Sequence, residues 1–167
     1  MTTTSAPLAR GSALRETLAR HVLVADGAMG TMLQDADVSL ADFEDYEGCN
    51  EILNVTRPDI VAEVHDAYLS VGVDCIETNT FGANLANLAE YGIEDRIYEL
   101  AYAGARLART QADIWSTPEQ PRFVLGAMGP GTRLPTLGHI TFAELRDAYA
   151  EQARGLINGG VDALLVE

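Results

Sequence analysis

The 167-residue sequence has no lysine, and all 11 of its basic residues are arginines. That removes the Schiff-base nucleophile, the phosphate-cradling P-loop and a lysine-rich nucleic-acid surface. Against the arginines stand 25 acidic residues, giving a formal charge of −14 and a pI near 4.4. A polyanion would approach against the protein's own field, so nucleic acid is excluded as a partner. No apolar run reaches the ~18 residues of a membrane span, so no membrane partner is expected. Met1 to Pro7 lacks the basic start and apolar stretch of a signal peptide, and a cytoplasmic protein is expected. There are two cysteines, Cys49 and Cys75. They are too few for a disulfide scaffold, match no common zinc spacing, and read as free thiols in a reducing compartment. Asn54-Val55-Thr56 fits a glycosylation acceptor, which without a secretory signal reads as coincidence.

What is present is an alternation of short apolar runs with amphipathic segments. Runs at 21–26, 73–78, 123–127 and 161–167 are apolar on both alternations, which predicts strands of a parallel sheet covered on both faces. Between them, Pro58 opens a predicted helix with Ile60, Val64, Tyr68 and Val71 on one face and Gly72 as its stop. A second carries Ile93, Ile97, Leu100, Gly104 and Leu107. A third opens on the capping box Thr141-Phe142-Ala143-Glu144, carries Leu145, Tyr149, Ala153 and Leu156, and ends at Asn158-Gly159-Gly160. A helix over about 12–20 precedes the first strand. This order predicts an α/β fold of parallel (β/α) units joined by right-handed crossovers.

The tetrapeptide Gly27-Ala28-Met29-Gly30 recurs as Gly126-Ala127-Met128-Gly129, each copy following a predicted strand. It is either chance in a chain rich in glycine and alanine, or two strand ends that bring backbone close to a ligand. Neither copy has dinucleotide-fingerprint spacing, and no prompt helix is expected after the first. The stretch 34–54 is acidic and without period, a solvated loop from which only Gly48-Cys49-Asn50-Glu51 stands apart. Ligands of parallel α/β proteins sit at the carboxyl ends of the strands. There lie Asp26, Glu77 and Glu167, and carboxylates brought together call for a cation such as an amino acid's ammonium. His139 is expected in an exposed loop, and His65 at the surface or half-buried.

The segments Asp26-Gly27-Ala28-Met29-Gly30-Thr31-Met32, Asn50-Glu51-Ile52-Leu53, Thr56-Arg57-Pro58, Glu77-Thr78-Asn79-Thr80-Phe81, Gly129-Pro130 and Leu164-Leu165-Val166-Glu167 occur in order from about Val22 onward. On them the chain resembles the homocysteine S-methyltransferase superfamily, and within it the N-terminal homocysteine-binding module of cobalamin-dependent methionine synthases. The resemblance implies a TIM (β/α)8 barrel that binds homocysteine and zinc at its C-terminal mouth. It implies Asp26, Gly27 and Ala28 at the amino acid end of the substrate, Glu167 on its ammonium, and Thr78, Asn79 and Phe81 lining the pocket. It also implies methylcobalamin as methyl donor, with folate- and cobalamin-binding modules as partners in the full-length chain.

The family's zinc is held by a lone cysteine and then an adjacent pair. No such pair occurs here, so no residue of this chain is carried over as a metal ligand or catalytic residue, and the zinc cysteines are expected beyond residue 167. A complete barrel needs about 250 residues. The expected organisation is therefore a tail and leading helix over 1–21, then the first four β/α units of the barrel, its N-terminal half, over 22–167, inactive alone and binding neither cofactor. Two alternatives stay open: a fragment of a betaine- or S-methylmethionine-dependent homocysteine methyltransferase, and a non-catalytic amino acid-binding half-barrel that self-associates through open sheet edges.

Overall fold

A computed structural model describes residues 6–167, with side chains from Gly11 onward; the first five residues of the expected tail lie outside the described residues. The elements run α1 (Ala6–Leu18), α2 (Met29–Asp35), α3 (Leu53–Thr56), α4 (Pro58–Ser70), β1 (Cys75–Glu77), α5 (Leu85–Glu90), α6 (Ile97–Trp115), β2 (Phe123–Met128), α7 (Phe142–Gly159) and β3 (Ala163–Val166). The three strands form one parallel sheet in the order β1-β2-β3, with Ile76 opposite Val124 and Gly126 opposite Leu164. The parallel α/β arrangement is as expected from the sequence.

The four-strand count is corrected. Residues 22–24 and 26 are outside any strand, and only Ala25 pairs, through a single parallel bridge to Cys75. The run does lie along β1, since Asp74 and Cys75 donate to the Val24 carbonyl and Asp26 donates to that of Cys75. Beyond the Ala25 bridge the run forms no further ladder pair with β1, so its apolar composition does not become a regular strand. Cover on both faces also fails at the flanks, where Val22 and Val166 are 91% and 70% exposed.

The helices follow local chemistry. At α7 the Thr141 hydroxyl accepts from the Glu144 amide at 3.2 Å and the Glu144 carboxylate accepts from the Thr141 amide at 2.9 Å, the expected capping box. Gly160, at φ +108°, closes the helix in a left-handed conformation that only glycine adopts without strain. α4 begins at Pro58, where a missing N–H loses nothing. Its buried face is Ile60, Val61, Val64, His65 and Leu69, while Val71 is 80% exposed and His65 is fully buried. Both of the latter reverse the expected placement. Contrary to expectation, a helix follows the first Gly-Ala-Met-Gly copy at once, as α2 begins at Met29 with Ala28 left-handed at φ +47°.

α4, α6 and α7 cover one face of the sheet, where Ile76, Val124 and Met128 join Leu100, Ala101, Ala105 and Leu156 in the main core. α6 and α7 approach closely: a Cβ on Gly159 would lie 2.4 Å from that of Ala105, and one on Gly155 2.8 Å from the Tyr98 carbonyl. The other face carries a small cluster of Leu14 from α1 with Cys75 and Phe123. At the N-terminal ends of the strands, buried Arg109 pairs with Asp162 at 2.9 Å, and buried Arg122 donates to the Val73 carbonyl at 2.7 Å. No described helix is long and apolar enough to cross a membrane.

Candidate functional site

The carboxyl ends of the strands and the loops leaving them enclose a cavity of about 300 Å³. Its wall takes Asp26 to Gly30 from the first loop, Asn50 and Glu51 from the second, Glu77 to Phe81 from the exit of β1, Ala127 from β2, and Glu167. Every residue assigned to the site from sequence, namely Asp26, Gly27, Ala28, Thr78, Asn79, Phe81 and Glu167, is among them. Both Gly-Ala-Met-Gly copies reach the cavity in different conformations. The first is a loop turning into α2, and the second continues β2 through Met128.

Side-chain charge in the wall is of one sign: Asp26, Glu51, Glu77 and Glu167, with no arginine or histidine among the lining residues. The Asp26 carboxylate accepts from the Glu77 amide at 2.9 Å. Partial burial, reinforced by the neighbouring Glu77 charge, pushes the Asp26 carboxyl up to about 7. Burial and the Glu167 charge raise Glu77 as well. Asp26 therefore holds a proton near neutrality that an incoming cation would displace.

Thr78, Thr80 and Ala127 form a closed circuit whose direction can be read. The Thr80 hydroxyl donates to the Ala127 carbonyl at 2.8 Å, so in its 2.5 Å contact with Thr78 it must accept. Thr78 therefore donates to Thr80, while its oxygen accepts from the Ala127 amide at 3.0 Å. The hydroxyl assigned to the pocket has no hydrogen left for a ligand. Asn79 is similar: its amide group donates to the Asn50 carbonyl at 2.8 Å and to Asn54 at 3.1 Å, which leaves its oxygen as the available atom. Asn54 in turn donates to the Asn79 and Leu100 carbonyls. It is buried, so the glycosylation pattern there marks a structural amide that fastens the site loop to α6.

Backbone N–H groups are available nearby, since the amides of Gly27 and Ala28 meet no protein acceptor among the described residues. Phe81 is 47% exposed and lies against Gly129, where a Cβ would fall 2.6 Å from the Phe81 carbonyl and 2.9 Å from its ring. Glycine is required at that crossing. Asn50, Glu51 and Glu77 also line the wall, beyond the residues that the family resemblance assigns to it. The signal for Glu77 was its place at a strand end, and for Asn50 and Glu51 the short stretch that stood apart from the acidic loop.

A metal site does not form from these residues. Among the described residues no group of three or more His, Cys, Asp or Glu side chains is arranged to hold an ion. Cys49 and Cys75 are buried free thiols whose pKa burial pushes up to about 11, opposite to what a metal-binding thiolate needs. His139 is in the exposed loop expected for it.

Fold and site together define a parallel α/β protein with a strand-end pocket suited to a small ligand that carries a cation. Residues 23–167 match the family model for homocysteine S-methyltransferase, and the chain belongs to that family. Over 154 residues, 92% of this chain, it is 56% identical to methionine synthase from Mycobacterium leprae and 55% identical to that from Mycobacterium tuberculosis. It spans 13% of the length of each of these relatives. The fold is similar to that of the homocysteine methyltransferase MmuM from Escherichia coli. In its metallated form the TM-score is 0.71 at 23% identity, covering 92% of this chain and 56% of that one, and in its oxidized form the TM-score is 0.70.

Proposed function

We propose that this chain binds homocysteine as the substrate-holding part of a methionine synthase-type methyltransferase. The observation that carries the reading is that every ionisable side chain of the pocket is acidic, with unengaged backbone amides beside them. An amino acid supplies the complement, an ammonium for Asp26 and Glu167 and a carboxylate for the amides of Gly27 and Ala28. Thr78 positions β2 against the β1 exit, the Asn79 oxygen accepts from the ammonium, and Phe81 covers the aliphatic side chain. In the empty pocket Asp26 holds a proton near neutrality, and the arriving ammonium displaces it.

Activation of the thiol is assigned to groups other than these residues. In the proposed enzyme, zinc and methylcobalamin belong to other parts of the protein, together with folate- and cobalamin-binding modules. Residues 22–167 are read as the first β/α units of a larger barrel in a cytoplasmic enzyme, and as inactive in methyl transfer without the rest. The exposed flanks of the sheet favour self-association as a second reading of the isolated chain.

Calorimetric titration of the chain with L-homocysteine tests the proposal. Binding that weakens at least ~10-fold in Asp26→Ala and in Glu167→Gln is the expected result, the loss of one charge-assisted contact each. No binding by the unmodified chain, or unchanged affinity in both variants, overturns it.

A further inference from the structure

We infer that Glu51 is a positioning residue that fixes the pocket wall at 78–82 and, through Phe81, sets the fit for the substrate's side chain. Its ligand rests on the homocysteine reading, while its geometry does not.

Two consecutive residues of the second loop reach two points of the β1 exit. The Asn50 carbonyl accepts from Asn79 at 2.8 Å, and the Glu51 carboxylate accepts from the Gly82 amide at 2.7 Å. The second contact is tight enough to dictate sequence. A Cβ on Gly82 would lie 2.6 Å from the Glu51 oxygen and 2.9 Å from its carboxyl carbon. The loop bearing Glu51 is anchored by Cys49, whose side chain is in the core and whose thiol lies 3.8 Å from the other carboxylate oxygen.

Phe81 precedes Gly82, and its carbonyl accepts from the Gly129 amide at 3.1 Å and from Asn84 at 3.2 Å. The backbone around the ring is thus held on one side by Glu51 and on the other by Gly129. Burial pushes the Glu51 carboxyl up and the Gly82 N–H partly offsets that rise, and the oxygen facing this amide accepts from it whether the group is charged or neutral. Releasing the amide frees the peptide that carries the aromatic wall. Homocysteine and cysteine differ by one methylene, a difference that a fixed wall reads at about 10-fold or more and a loose one does not.

The test compares Glu51→Ala with Glu51→Gln, which keeps an acceptor for the Gly82 amide. In the ligand-free protein, hydrogen exchange of that amide is expected to accelerate at least ~10-fold in Glu51→Ala and to stay near the unmodified rate in Glu51→Gln. In titrations, Glu51→Ala is expected to weaken homocysteine about 10-fold and to bring its preference over cysteine down to ~2-fold, with Glu51→Gln restoring both. Gly82→Ala, which displaces the carboxylate, is expected to behave like Glu51→Ala. An unchanged Gly82 exchange rate in Glu51→Ala, or a Glu51→Gln protein as impaired as Glu51→Ala, overturns the inference. If the unmodified chain binds neither amino acid, the homocysteine reading fails and the exchange measurement decides the role of Glu51 alone.

Discussion

Burial acts on Asp26 and His65 by the same physics and gives them opposite pH responses. Asp26, raised to about 7 in the folded chain from an ordinary value of 3.8, binds its proton more tightly folded than unfolded. Its contribution to stability is therefore fullest below pH ~4 and is lost as pH rises through 7. Asp26→Asn is expected to raise stability at pH 8 by on the order of 1–2 kcal/mol, allowing for solvent at the cavity mouth, and to change it little at pH 4. Urea melts at the two pH values check this, and equal shifts at both would contradict it. The same proton predicts that homocysteine affinity falls as pH drops below 7. His65 is fully buried with neither ring nitrogen partnered, and desolvation lowers it from 6.5 to about 4. The unfolded chain takes up that proton first, so stability drains away as pH falls from 6.5 toward 4. His65→Leu is expected to flatten this limb by about 2–3 kcal/mol, seen as a smaller change in melting midpoint between pH 7 and pH 4.5.

At the scale of elements, α6 is both a packing surface and a brace for the site. A Cβ on Gly104 would lie 2.6 Å from the Thr80 methyl and 2.7 Å from the Asn54 amide, whereas one on Gly159 would strike only α6. Both Gly104→Ala and Gly159→Ala are expected to lose about 1–3 kcal/mol in denaturant melts. Only Gly104→Ala should also weaken homocysteine binding, because it moves the Asn54–Asn79 pair. Equal affinities for the two variants would refute that division. Elements with strong end signals were legible in the sequence, as at Pro58 and at Thr141 with Glu144. α2 was not, being seven residues long with no capping side chain and an entry through a left-handed alanine. The bridge segment at 21–26 had strand composition, but strand character needs partners that composition does not report. His65 was misplaced although Val61, His65 and Leu69 recur every fourth residue. That period marks a second buried stripe beside the one traced through Ile60 and Val64. In the site, the strand-end residues could be read from pattern, whereas the roles of Asn54 and Glu51 depend on hydrogen bonds across 25 or more positions.

At the scale of the molecule, the sheet presents apolar side chains outward at both flanks, Val22 and Val24 on one and Leu164 and Val166 on the other. Unpaired sheet edges with exposed valines and leucines invite pairing with a second chain. The isolated chain is expected to associate with rising concentration in sedimentation velocity despite its charge of −14. Replacing all four by threonine, which keeps strand preference, should shift it toward monomer. A unmodified chain that stays monomeric at ~100 μM would contradict this. The pocket's one-signed charge has a different consequence, for the chemist choosing molecules to occupy it. With four acidic side chains in the wall and the Thr78 hydrogen already committed, the cationic end of a visitor is recognised through hydrogens that it carries itself, while the Gly27 and Ala28 amides serve its carboxylate. Full methylation of a ligand's nitrogen would keep its charge and remove every hydrogen it could offer, making such derivatives sensitive probes of whether this cavity recognises charge or hydrogen bonds.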